Sequence, residues 1–282
     1  MIRAETPLRR TTASARVLAV REGRAAEQPD RLAAEEPMEI RVGGPGAEPE
    51  PVVVTMRTPG ADFELAAGFL FTEGLVASRE EIRTIAYCEL PDEEQHYNVV
   101  TVRLARPFDA ASLKRNTYAS SSCGICGKAS LEQIEVRCAV LPPGPTIAAA
   151  TLPGLPGALQ AAQPIFERTG GLHAAGLFDP AGRLGTLRED VGRHNAVDKV
   201  VGERLLAGAT PLHERLLMVS GRVSFEIVQK AAVAGIPILC AVSAPSSLAI
   251  RAAEHLGMTV VGFLRGDRFN VYSHPERIAL DG

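Results

Sequence analysis

The sequence predicts an α/β protein. A smaller β-rich part of α+β character spans residues 1–145, and an α/β domain built on a mostly parallel sheet spans 146–282. Three observations predict this. In the first part, short stretches alternate apolar and polar residues and are separated by Gly- and Pro-rich turns, the pattern of half-buried strands. In the second, short apolar runs alternate with helical patterns, as in strands joined by right-handed helical crossovers. Between them lie two proline-rich breaks, Leu141-Pro142-Pro143-Gly144-Pro145 and Leu152-Pro153-Gly154-Leu155-Pro156-Gly157, which place the boundary near 145.

Residues 1 to about 15 are rich in Arg, Thr and Ser and are expected to be mobile. Residues 16–20 form a first strand, and 22–37 are polar with two prolines. Residues 38–42 and 52–56 pair as a hairpin around the Gly/Pro/Glu-rich turn 43–51. Phe63, Ala66, Ala67, Leu70 and Phe71 share one face of a helix that lies on the sheet and ends at Gly74. Asp62 and Glu64 suit its positive end and need no catalytic role. Residues 98–104 add a strand.

Beyond the breaks, 158–167 is a helix, 170–179 a strand, 180–183 a tight turn and 184–188 a returning strand. A polar knot, Glu189-Asp190-Val191-Gly192-Arg193-His194-Asn195, precedes a helix that buries Val197, Val200, Val201, Leu205 and Leu206 and exposes Asp198 and Lys199. His194 there is a capping residue or a ligand contact. Strands at 216–220, 238–242 and 258–264 alternate with helices at 223–234 and 247–256.

Composition excludes several functions. Apolar residues at 46% supply a core, and a net charge of −3 argues against a protein that coats nucleic acid. Aromatic residues at 5%, with no Trp, weaken readings based on base stacking. Five scattered cysteines do not form a secreted disulfide framework, which points to a reducing cytoplasm. No apolar run reaches membrane-spanning length, and none follows Arg9-Arg10 as an export signal would require.

Chemistry concentrates in Ser121-Ser122-Cys123-Gly124-Ile125-Cys126-Gly127-Lys128. A helical pattern follows at once. A thiolate near a helix N-terminus and a lysine is stabilised by the dipole and by Coulomb attraction, so it is ionised, and reactive, near neutral pH. The bland alternatives are core cysteines or half of a metal site. Core cysteines rarely stand among Ser, Gly and Lys, and one C-x-x-C supplies only two of the four ligands of a structural zinc.

A second site follows from the expected sheet, because ligands collect beyond the carboxyl ends of parallel strands. Those ends carry Ser220-Gly221-Arg222, Ser243-Ala244-Pro245-Ser246-Ser247 and Arg265-Gly266-Asp267-Arg268. Two of these loops lead into helix N-termini, which favour anions. Their hydroxyls and Arg222, Arg265 and Arg268 suit a phosphate or diphosphate, and Asp267 can accept two N–H bonds from a guanine edge. Each loop alone is also an ordinary turn or cap; convergence on one edge is what gives them meaning. The layout invites comparison with the zinc deaminases, which need H-x-E and P-C-x-x-C. The segments to compare, His173-Ala174-Ala175 and Pro245-Ser246-Ser247-Leu248, lack the glutamate and both thiols.

Taken in order, these segments resemble the formate dehydrogenase accessory sulfurtransferases, the FdhD-type sulfur carriers. The resemblance rests on Thr72-Glu73-Gly74, on Ser122 through Lys128, on Thr169-Gly170-Gly171-Leu172-His173-Ala174-Ala175, on Glu189 through Lys199, on Ser220-Gly221-Arg222 and on Gly262 through Tyr272. It implies a cytidine-deaminase-like three-layer C-terminal domain. It implies relay of sulfur from a cysteine desulfurase to the molybdenum or tungsten bis(molybdopterin guanine dinucleotide) cofactor of formate dehydrogenase. That cofactor is a bound client, and no permanently bound metal is expected. Cys123 maps to the persulfide carrier, with Cys126 as helper, on a loop expected to be mobile. Phe263, Leu264, Arg265, Gly266, Asp267 and Arg268 map to cofactor binding, and Arg222, in the loop after the strand at 216–220, is placed with them. A cytoplasmic homodimer is implied, with no nucleic-acid or membrane partner. A thiol–disulfide oxidoreductase and a non-catalytic cofactor chaperone are the alternatives.

Overall fold

The computed structural model describes residues 10–88, 97–108 and 140–280. Cys123, Cys126, Lys128 and the helical pattern behind them lie outside the described residues. A ribbon comes first: β1 (Thr12–Arg21) pairs antiparallel along its whole length with β2 (Arg24–Ala33). The polar stretch after residue 22 is therefore largely strand. Its backbone pairing with β1, not burial of side chains, makes it so, and for that reason it carries no alternating apolar signal.

A four-stranded sheet follows, in the order β4-β3-β6-β5. It consists of β3 (Glu36–Gly43), β4 (Glu50–Arg57), β5 (Ile82–Tyr87) and β6 (Val99–Leu104), with β3 and β6 parallel. β5 was not expected from the sequence. Helix α1 (Asp62–Thr72) closes on Gly74, whose φ is +72°. There Gly74 N–H donates to Phe71 O and Leu75 N–H to Leu70 O, which satisfies two of the helix's free carbonyls.

The second part carries a six-stranded sheet in the order β13-β12-β11-β10-β8-β9. It begins with a short pair, β7 (Ile147–Ala148) against β14 (Ile278–Ala279), then a 3-10 turn over Ala149–Gly154. The helix expected at 158–167 is two helices, α2 (Leu155–Ala161) and α3 (Pro164–Thr169). Pro164 lacks an N–H and sits where a new helix can start but not where one can continue. Next come β8 (His173–Phe178), β9 (Leu184–Asp190), α4 (Arg193–Leu206), β10 (Leu216–Val219), α5 (Phe225–Val233), β11 (Ile238–Ala241), α6 (Ser247–Leu256), β12 (Thr259–Arg265) and β13 (Arg268–Ser273).

The sheet is mixed rather than mostly parallel. β10, β11 and β12 run parallel, whereas β8, β9 and β13 join through antiparallel pairs. The turn at 180–183 and the two-residue turn after Arg265 are too short for a parallel crossover, so each forces its strands antiparallel. Strand periodicity splits the core in two: Leu217, Val219, Leu239 and Ala241 face the layer of α4, α5 and α6. Leu216, Met218, Ile238 and Cys240 face α2 and the 3-10 turn. Every residue of β10 and β11 is buried, as expected of central strands covered on both faces.

Helix α1 does not simply lie on its own sheet; it crosses α4. A Cβ on Gly68 would come within 1.8 Å of Asp198 O, and one on Gly202 within 1.9 Å of Glu64 O. The two glycines let the helix backbones touch. One apolar cluster therefore runs from Met38, Ile40 and Leu70 through Val197 and Val201 to Leu256. The acidic residues of α1 have specific partners. Asp62 takes a bidentate pair from the fully buried Arg57 (3.1 and 2.9 Å) and a bond from Tyr87 OH, while Glu64 binds Arg188 of β9. Among the described residues, no helix is long and apolar enough to cross a membrane.

Candidate functional site

The carboxyl ends of β10, β11 and β12 meet along one edge. The loops after β10 and β11 run side by side, with Val223 N–H on Ala244 O (3.2 Å) and Ser246 N–H on Val223 O (2.9 Å). The β12 end joins them: Phe263 N–H donates to Ser243 O, and Arg265 Nε donates to Val242 O (3.2 Å each). Gly262 makes room for this approach, since a Cβ there would lie 3.0 Å from both Pro245 Cδ and the Tyr272 ring. The three loops named from sequence thus share one rim. The third differs in kind: it is the tight turn of the β12–β13 hairpin, with Gly266 (φ +55°) at the first central position, where left-handed φ suits glycine.

Within that rim the named residues divide. Phe263 stands 44% exposed at φ +52°, on an irregularity of the β12–β13 pairing. A large side chain held exposed in the left-handed region is strain that the fold maintains, and such strain gathers at binding sites. Arg265, Gly266, Asp267, Arg268 and Arg222 are exposed. Leu264 is fully buried in the core below the rim, so its side chain faces away from any ligand there. The loop serines are largely committed to structure: Ser220 Oγ accepts from Ala174 N–H, and Ser246 Oγ caps α6 by accepting from Ala249 N–H.

The polar stretch 189–195 resolves into a staple and two residues left over. Glu189 and Asp190 belong to β9. Glu189 caps α3 through the N–H groups of Ile165 and Phe166, which suits the dipole. Asp190, fully buried, accepts from Lys199 Nζ (2.7 Å), Thr58 N–H (3.1 Å), Gly192 N–H (2.8 Å) and Asn195 Nδ2 (3.1 Å). Asn195 also donates to Met56 O. These bonds fasten the end of β4 to the start of α4. Lys199 and Asp198 are accordingly buried, at 2% and 1% exposure, and not on the solvent side as the helical pattern suggested. Charged residues mimic a solvated face in sequence; here Asp198 meets Thr72 of α1 and Lys230 of α5, and Lys199 meets Asp190 of β9 and Thr58 O.

Arg193 and His194 are not used by the staple. They begin α4 opposite the start of α5, and His194 Nε2 shares a hydrogen bond with Ser224 Oγ (3.2 Å). Burial, then Arg193 and Lys230, push the His194 imidazole down to about 4, so it is neutral at physiological pH. His173 begins β8, beside the carboxyl end of β10, and is also pushed down, by burial and then by Arg193 and Arg222. Gly221 lies between His173 and Arg193. Behind His194, Lys230 Nζ binds Thr72 Oγ1 (2.9 Å), Glu73 Oε1 (3.0 Å) and Asp198 Oδ1 (2.9 Å), which joins α1, α4 and α5. Burial raises the Asp198 carboxyl to about 6 against the pull of Lys230.

The sequence reading missed His173 and Arg193 at this edge; an arginine at the first position of a helix, where a cation is disfavoured, was the available signal. The deaminase comparison also moves. The facing helix starts are those of α4 and α5, so His194-Asn195-Ala196 and the 220–224 loop are the stretches to set against H-x-E and P-C-x-x-C. They too lack the glutamate and the thiols. No cluster of three or more His, Cys, Asp or Glu suited to a metal occurs among the described residues.

Fold and site together define an α/β protein with a cationic, partly apolar rim at the carboxyl edge of its larger sheet. Residues 33–279 match the model of the FdhD/NarQ family, and the chain belongs to that family. It is 50% identical over 278 residues to the sulfur carrier protein FdhD of Streptomyces avermitilis, covering 96% of this chain and 97% of that one. It is likewise 50% identical over 273 residues to the protein of that name from Mycolicibacterium paratuberculosis, covering 95% and 98%. Among solved structures it matches a formate dehydrogenase accessory protein from Desulfotalea psychrophila, with a TM-score of 0.74 at 29% identity over 96% of this chain and all of the other.

Proposed function

We propose that this chain is a sulfur carrier that serves formate dehydrogenase. The observation that carries the reading is 50% identity, along nearly the full length, with proteins named as sulfur carriers. The chemistry of Cys123 to Lys128 supports it, because a thiolate beside a lysine is the nucleophile that sulfur relay needs.

In this reading the Cys123 thiolate attacks the terminal sulfur of a persulfide on a cysteine desulfurase. The S–S bond to the donor breaks, the donor leaves as a thiolate, and Cys123 holds the persulfide. The bis(molybdopterin guanine dinucleotide) cofactor is the client. Its guanine end meets Phe263 and the Asp267 carboxylate, and Arg222, Arg265 and Arg268 supply positive charge. Transfer of the outer sulfur to the cofactor's metal breaks the persulfide S–S bond and returns Cys123 as a thiolate, and the metal in its reduced state would supply the two electrons that take the sulfur to the sulfide level. Cys126 tunes that thiolate, or its own thiolate attacks the Cys123 sulfur, breaks the persulfide S–S bond and expels the outer sulfur as sulfide, leaving a Cys123–Cys126 disulfide that a cellular thiol then reduces. The cytoplasm suits this chemistry, and a homodimer is the proposed assembly.

The test is intact mass after incubation with a cysteine desulfurase and cysteine. The wild type should gain the mass of one sulfur and Cys123→Ser should gain none, while folding normally and failing to activate formate dehydrogenase. Retained activation by Cys123→Ser would point instead to a cofactor chaperone. Reduction of protein disulfides that needs both cysteines, with no sulfur adduct, would point to a thiol–disulfide oxidoreductase.

A further inference from the structure

We infer that the free edge of β1 is a dimer seam, at which β1 pairs antiparallel with β1 of a second copy across a two-fold axis. The inference rests on the homodimer of the reading above and adds which surface makes it.

The ribbon is unfinished by itself. Two strands with no third strand or covering helix are marginally stable at best in water. Among the described residues β1 pairs with β2 alone. β2 has other neighbours: Ala33 lies beside Gly171, and a groove lined by Asp30, Gln160 of α2 and Arg168 of α3 runs past it. β1 instead carries Leu18 and Val20, each 65% exposed.

Hydrogen-bond parity shows that the two edges of the ribbon are built differently. The turn between the strands has Glu22 and Gly23 at φ +51° and +76°. That two-residue turn closes on a hydrogen-bonded pair, here Arg21 and Arg24. At the far end Ala34 N–H donates to Thr11 O (2.9 Å). Bonded pairs alternate with unbonded ones, so both ends put the bonded pairs on the odd-numbered residues of β1. The even-numbered residues of β1 and their partners on β2 turn N–H and C=O outward. One of those partners is Pro29, opposite Arg16, and it has no N–H to offer. The β2 edge is thus blocked at its middle, whereas the β1 edge is open from Thr12 to Val20.

This asymmetry selects the partner. With both edges open, β1 of one copy could pair with β2 of the next, and such head-to-tail contacts run on into filaments. Pro29 forbids that pairing and leaves β1 with β1, a contact that closes at two copies. Charge agrees. From Thr12 to Ala33 four arginines stand with three carboxylates, and Arg16 lies 3.7 Å from Glu27. A nearly neutral ribbon accepts its own copy and does not select a charged partner.

The register follows. Outward groups come from even-numbered residues, so the axis passes through a residue of β1. An axis at Arg16 sets two arginines opposite each other, which destabilises the pair. An axis at Leu18 pairs only 15–21. An axis at Val17 pairs 13–21, with Leu18 opposite Arg16, Val20 opposite Ser14 and Ala15 opposite Ala19. The aliphatic stem of Arg16 then covers the exposed Leu18 of the other copy.

The experiment is sedimentation equilibrium of the full chain over a range of concentrations. The wild type should be a dimer. Leu18→Pro removes one outward N–H per copy and leaves the β1–β2 bonds in place, so it should weaken the dimer about ten- to hundredfold. Glu27→Pro, directly opposite on the β2 edge, carries the same backbone burden and should leave the dimer unchanged. Air-free incubation with oxidised glutathione locates the axis. Val17→Cys should cross-link the dimer through the two introduced thiols, identified by peptide mass, because an unbonded antiparallel pair holds its Cα atoms about 4.5 Å apart. Ala13→Cys, about 27 Å from its copy in this register, should not. A wild-type monomer overturns the seam and the homodimer together. A wild-type dimer that Leu18→Pro leaves intact, or that Val17→Cys does not cross-link, overturns the seam alone. If both proline variants are monomers, the cross-link decides. Sulfur uptake by Cys123 is read separately, by intact mass, and is independent of each of these outcomes.

Discussion

Removing Asp190 should cost more than removing its partner Lys199, although the two form one ion pair of 2.7 Å. Without the carboxylate, the Lys199 ammonium stays buried at 2% exposure and keeps only Thr58 O (2.8 Å) and Glu189 O (3.5 Å). The N–H groups of Thr58 and Gly192 and the Asn195 amide lose their acceptor as well. Breaking a buried pair costs about 3–5 kcal/mol and a stranded donor about 1–3 kcal/mol, so Asp190→Ala should lose ~5 kcal/mol or more. Lys199→Met leaves the carboxylate with three donors and fills the space of the lysine stem. Its loss should sit near the lower end, ~3 kcal/mol. Since whole domains hold only about 5–15 kcal/mol, Asp190→Asn is the companion variant, expected to fall between the two. Denaturant titration of each variant and of the Asp190→Asn/Lys199→Met double gives the comparison. A Lys199→Met loss equal to or above that of the Asp190 variants, or strict additivity in the double, would refute the staple.

Two further predictions rest on the same junction. Gly202→Ala should destabilise the protein despite alanine's better helix propensity of about 1 kcal/mol, because a Cβ 1.9 Å from Glu64 O cannot be relieved by any rotamer. A net loss of ~1–3 kcal/mol, read as a melting temperature lower by several degrees, is the expected result, and an unchanged or higher value would refute the close crossing. Stability against pH tests the Lys230 cluster. Asp198, raised to about 6, holds a proton in the fold that the unfolded chain has released, so its contribution is lost as pH rises through about 6. His194, lowered to about 4 from an ordinary 6.5, works in the opposite sense and adds stability as pH rises across that window. Asp198→Asn removes the first effect, so thermal melts of the variant should climb more steeply between pH 4 and 6.5 than those of the wild type; parallel curves would contradict the assignment.

Much of the architecture was legible because its signals are local. Helix α6 begins and ends where its serine cap and Gly257 place it, and α1 stops at Gly74. The central strands are apolar throughout, as strands covered on both faces must be. What escaped notice has few local marks. β2 is a strand because β1 lies alongside it, and β13 because a two-residue turn folds it back on β12. The candidate rim was found as loops because strand ends can be counted along a chain. Arg193 and His173 were not, because neither follows a parallel strand; topology alone carries them there.

By itself, then, the sequence determined the α/β class, the order of the central strands and helices, the family motifs and the cysteine pair whose chemistry depends on near neighbours. The tertiary structure decided which charged residues are buried and what they hold. Asp198 and Lys199 look like a solvated helix face until α1 crosses α4 at Gly68 and Gly202. Asp190 looks like a knot residue until it gathers donors from residues 58, 192, 195 and 199. The physical reason is range: propensity, capping and periodicity act over a few residues, whereas burial, ion pairing and the field at a helix end depend on segments more than a hundred residues apart.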